Sequence, residues 1–80
     1  MFINKSNNGK NNICGTNVYV ARKQLRISQR QLADRLQIIG LDVDKNAIQR
    51  IEAGKRFVTD IELKKISEVL SITVDELLEE

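Results

Sequence analysis

With 80 residues, 41% of them hydrophobic, and no proline, the chain has room for one small domain and little more. No apolar run approaches the ~20 residues of a membrane-spanning helix. The opening MFINKSNNGKNN has no apolar stretch ending in a small-residue cleavage site, so a cytoplasmic protein is expected. The net charge of +2 hides an asymmetry: residues 1–58 hold eleven Lys and Arg against four Asp and Glu, whereas residues 59–80 hold two against seven. A basic front with an acidic tail suits a protein that turns one face to a polyanion.

The chemistry of catalysis is missing. There is no His and only one cysteine, Cys14, so neither an intrachain disulfide nor a zinc site of the usual kind is expected. No Gly-rich phosphate loop and no nucleophile beside a base can be found either. The expectation is a protein that is not an enzyme and needs no cofactor or metal. Asp75 and Glu76 are adjacent carboxylates, but their place at a helix start makes capping the simpler account.

In chain order, residues 1–15 are rich in Asn, Gly and Lys without an apolar period and read as a flexible N-terminal arm, whose Lys5 and Lys10 could touch phosphate. A helical domain over 16–80 follows. Val18, Ala21, Arg22 and Leu25 share one face of a first helix, 16–26. A signature then recurs four times: an apolar residue, a capping residue, and another apolar residue four positions past the cap. It is met at Ile27-Ser28 with Leu32, Val43-Asp44 with Ile48, Val58-Thr59 with Leu63, and Ile72-Thr73 with Leu77. Each is a hydrophobic staple, and Ser28 with Gln31, Thr59 with Glu62 and Thr73 with Glu76 add capping boxes. Helices over 29–39, 45–53, 60–70 and 74–79 result, with Gly40 and Gly54 placed to end two of them. The fold class expected is an all-α, compact five-helix domain. Its core draws on Val18, Leu25, Leu32, Ala33, Leu36, Ile48, Ile51, Leu63, Ile66, Leu70 and Leu77. Cys14 is read as a free thiol with a packing or incidental role.

The helix at 45–53 is the informative one. Lys45, Asn46, Gln49 and Arg50 fall on one side, and Ala47, Ile48 and Ile51 on the other. A helix held by its back and polar in front is suited to the major groove. There Arg or Lys can pair bidentately with guanine, and Asn or Gln with adenine. These four residues are the expected base contacts.

From Thr16 to Leu78 the chain resembles the phage repressor and Cro-like (XRE-type) helix-turn-helix family of transcriptional regulators. The likeness rests on Arg22, Ser28-Gln29, Leu32-Ala33, Ile48, the run Ile51-Glu52-Ala53-Gly54-Lys55-Arg56, and the ending Leu70 to Leu77. The resemblance implies a lambda-repressor-like DNA-binding domain and a regulator of double-stranded DNA, acting as a repressor. It implies a structural ion pair between Arg22 and Glu52, and Ala33 as the small residue that lets the second and third helices approach. DNA phosphate contacts are expected from Gln29 and Arg30 at a helix N-terminus and from Lys55 and Arg56 beyond the recognition helix. Ile61, Leu70, Ile72, Val74, Leu77 and Leu78 suggest a homodimer through the C-terminal helices. An antitoxin or anti-repressor subunit acting mainly through a protein partner is the alternative.

One departure stands out. The stretch from Leu36 to Asn46 is about five residues longer than the usual tight turn. Either the second helix extends to about Ile39 or the loop is enlarged. Ile38, Ile39, Leu41 and Val43 suggest that the insert packs, with Asp42 and Asp44 at a cap or turned from DNA. Phe57 is read as core or rim, with stacking near the DNA backbone as the other possibility.

Overall fold

A computed structural model describes residues 9–80. Five helices follow one another: α1 (Gly15–Gln24), α2 (Gln29–Ile38), α3 (Lys45–Glu52), α4 (Asp60–Leu70) and α5 (Val74–Leu77). The starts of α2 to α5 are set by the capping side chains expected from the sequence. Ser28 accepts from the Gln31 N–H at 3.0 Å while Gln31 Oε1 accepts from the Ser28 N–H at 2.7 Å. Thr59 and Glu62 form the same reciprocal pair. Thr73 accepts from the Glu76 N–H, giving one half of the expected box, and Asp44 accepts from the Ala47 N–H. Each such cap stabilises its helix by about 1 kcal/mol.

The helix ends are equally regular. After α3, Lys55 N–H donates to the Arg50 carbonyl and Gly54 N–H to that of Ile51, the paired bonds of a Schellman motif, with Gly54 at φ 75°. The same pairing closes α1 around Arg26 and α4 around Ser71, at φ 58° and 57°. Non-glycine residues in this region carry a cost of roughly 1–2 kcal/mol, which the two recovered carbonyl bonds offset.

All four staples reach the core. Ile27, Leu32, Val43, Ile48 and Leu77 are buried in it, with Val58, Leu63 and Ile72 packed against it. Ala33 is buried in the core. Leu25 departs from expectation. It is the C-cap of α1, still helical in its backbone, and 42% exposed, while the left-handed turn at Arg26 brings Ile27 into the core in its place.

Of the arm expected over 1–15, residues 1–8 lie outside the described residues, Lys5 among them. The remainder is tied to the domain. Cys14 is buried in the core, and Asn11 and Asn12 bond to the segment following α3. Polar composition concealed this, because the attachment is made by amides and backbone rather than by an apolar period.

Both readings of the insert between α2 and α3 hold. The helix runs on to Ile38, and Gly40 at φ 92° then turns the chain so that Leu41 N–H donates to the Leu36 carbonyl. Val43 is buried, Gln37 Nε2 donates to its carbonyl at 2.8 Å, and Lys65 Nζ donates to the Ile39 carbonyl at 2.9 Å. The insert is therefore stitched to α2 and α4. Ile38 is the exception, 83% exposed. Asp44 caps α3, as one of its two expected placements had it, and Asp42 is exposed.

Candidate nucleic-acid interface

The site is built on α3, whose back is fixed by Ile48 and Ile51, each almost fully buried. That anchorage turns Lys45, Asn46, Gln49 and Arg50 outward, and all four are exposed. Among the described residues, none of these side chains makes a hydrogen bond or ion pair within the chain. A row of donors and acceptors without internal partners is what a base-reading helix requires.

The orientation of α3 depends on a buried ion pair. Arg22 Nε donates to Glu52 Oε2 at 2.7 Å and Nη2 to Oε1 at 3.0 Å, both side chains only 6% exposed. Arg22 Nη1 also donates to the Ile27 carbonyl at 2.8 Å. The hydrogen-bonded carboxylate raises the Arg22 pKa further above its already high ordinary value. The pair ties α1 to the end of α3, the two ends that the family resemblance implies, and the bond to Ile27 ties α1 to the turn before α2.

The four phosphate candidates divide. Arg30 and Lys55 are exposed. Gln29 Nε2 donates to Glu52 Oε1 at 3.1 Å, so its amide extends the buried ion pair. The N–H groups of Gln29 and Arg30, by contrast, have no partner among the described residues, and the start of α2 retains two free donors. Arg56 is half-buried and paired within the fold. Its guanidinium forms a forked pair with Glu62 at 3.1 and 2.8 Å, which secures the loop after α3 to the start of α4. That pairing and the cap at Thr59 hold the Glu62 carboxyl below its ordinary value.

A groove beside α2 brings Gln29 and Arg30 together with Lys45 of α3. It adds two cations that the sequence did not single out, Lys23 and Arg26. Their only sequence signal was charge, because a helical wheel cannot show that Arg26 sits in a left-handed turn facing the same groove. Lys10 is not free: its side chain lies against Gly54 and has interactions within the fold. Phe57, 54% exposed, is outside the core. Burial pushes the Cys14 thiol up to about 11, consistent with a packing role.

A small all-α domain with an exposed polar helix held across a second, capped helix defines a helix-turn-helix DNA-binding module. The sequence profile of the helix-turn-helix family matches residues 18–77. The chain belongs to that family, of XRE type, and is a DNA-binding transcription regulator. No curated protein and no solved structure matches it. Among the described residues no helix is long and apolar enough to cross a membrane.

Proposed function

We propose that the protein is a sequence-specific repressor that reads the major groove of double-stranded DNA with α3. The observation that carries this is the exposed row Lys45, Asn46, Gln49 and Arg50, unpartnered on a helix whose other face is locked in the core. Arg30, Lys55 and the free N–H groups opening α2 grip phosphates on either side. Lys23 and Arg26 extend the same basic groove. Gln29 and Arg56 contribute chiefly by bracing those elements, given their bonds to Glu52 and Glu62.

Two copies acting on half-sites one helical turn apart supply the affinity that one small domain lacks. The surface for this is narrower than the sequence suggested. Leu70 and Leu77 are core, Ile72 and Val74 are half-buried, and Ile61 and Leu78 remain exposed, at 65% and 42%. The dimer proposal rests on the last two.

The test is selection of random duplex DNA by the purified protein at about physiological ionic strength. A recovered palindrome with half-sites 10–10.5 base pairs apart is expected. Arg50→Ala should then weaken the selected site by ~1–3 kcal/mol and relax one base position, while Lys55→Ala weakens all sequences alike. No enriched motif from a folded protein would refute the reading and favour a partner-dependent role.

A further inference from the structure

The segment that carries Lys55 leaves α3 with little apolar anchorage. Ile51 and Gly54 are buried, but Ala53, Lys55 and Phe57 are exposed. Besides the Arg56–Glu62 pair, it is held by hydrogen bonds to its carbonyl groups. Asn12 Nδ2 donates to the carbonyls of both Ile51, at 3.1 Å, and Arg56, at 2.8 Å. Asn11 donates from its backbone to Gly54 O at 2.8 Å and from Nδ2 to Lys55 O at 2.9 Å. Four carbonyls of the segment 51–56 thus point to one pair of asparagines.

The geometry is demanding. Asn12 uses both amide hydrogens, and its Oδ1 accepts from the Gly15 N–H at 2.9 Å, where α1 begins without a side-chain cap from Cys14. Aspartate lacks the two donors, and glutamine sets the amide one methylene farther out. The approach of α1 to α3 makes the reach possible: a Cβ on Gly15 would run into the Ile51 carbonyl oxygen.

We infer that Asn12, supported by Asn11, is a positioning residue for DNA docking, holding the turn after α3 where Lys55 meets a phosphate. The inference rests on the DNA-reading role proposed above. Backbone carbonyls drawn to the asparagines fix the direction in which the 54–56 turn leaves the helix. The flexible Lys55 side chain then starts from a fixed point.

The experiment measures binding of the full chain to a mixed-sequence duplex as a function of salt, for wild type, Asn12→Ala, Lys55→Ala and the double variant. Unfolding of each is followed by circular dichroism. Lys55→Ala should lower the slope of log K against log salt by about one. Asn12→Ala should lower it similarly although Lys55 is present, and the double variant should lose no more than either single one. Asn12→Ala combined with Arg30→Ala, on the other flank, should instead be additive.

A folded Asn12→Ala protein with the wild-type slope, or full additivity with Lys55→Ala, overturns this inference alone. So does an unchanged slope in Lys55→Ala. A flat slope in the wild type overturns the DNA reading and this inference with it. If Asn12→Ala does not fold, Asn11→Ala, which removes only the side-chain bond to the Lys55 carbonyl, is judged by the same criteria.

Discussion

Glu52→Gln probes the buried pair, because it keeps the shape of the side chain while removing its charge and turning one of its two acceptor oxygens into a donor that faces Arg22 or Gln29. In the native protein the Arg22 guanidinium makes two charge-assisted bonds to Glu52 and one to the Ile27 carbonyl. With both side chains 6% exposed, water cannot take over when the carboxylate is lost. Breaking a buried pair by removing one charge typically costs ~3–5 kcal/mol, because the other charge stays buried and uncompensated. For a domain whose whole stability is on the order of 5 kcal/mol, that brings it to the edge of unfolding. At ~4–8 °C per kcal/mol, Tm should fall by at least about 12 °C in a thermal melt followed by circular dichroism. Arg22→Met with Glu52→Leu should recover much of the loss, since an apolar replacement leaves no orphan charge. A loss below ~1 kcal/mol for Glu52→Gln, the value of exposed pairs, would refute the reasoning.

Three further outcomes follow from the same packing. Cys14, buried and with its thiol raised to about 11, should resist alkylation by iodoacetamide at pH 8 and react on addition of denaturant; rapid labelling of the folded protein would contradict its core position. Glu62 binds a proton less readily folded than unfolded, so its contribution is complete above its ordinary value of 4.5 and fades as pH falls through the depressed folded value. Glu62→Gln should accordingly flatten the loss of stability in acid urea titrations, and an unaltered pH profile would show that the pairing with Arg56 does not persist in solution. Ser71→Gly relieves the left-handed backbone at the end of α4 and should raise stability by about 0.5–1 kcal/mol in urea unfolding, whereas a loss would mean that its backbone is unstrained.

Ser28, Asp44, Thr59 and Thr73 each mark a helix start in the sequence, and each caps a helix in the fold. Such signals are legible because capping and staple contacts lie within five or six residues of one another, so local sequence contains both partners. The polar front of α3 was legible for the same reason, through helical periodicity alone. The Arg22–Glu52 pair, thirty residues apart, came from the family likeness and not from any local rule.

What only the tertiary structure decided depends on contacts between distant segments. Arg56 is a basic residue beyond the recognition helix in either view, yet the start of α4 claims it through Glu62. Leu25 and Ile27 look alike in apolar character, yet only Ile27, brought in by the turn at Arg26, is buried. Asn11 and Asn12 read as part of a polar leader until the end of α3 is brought within reach of their amides. Sequence by itself determined the helices and the face of α3 because those follow from short-range periodicity and caps. Which polar side chains are consumed inside the fold, and which are left for a partner, is a matter of long-range geometry, since a hydrogen-bonding group is equally polar whether or not its partner is in the same chain.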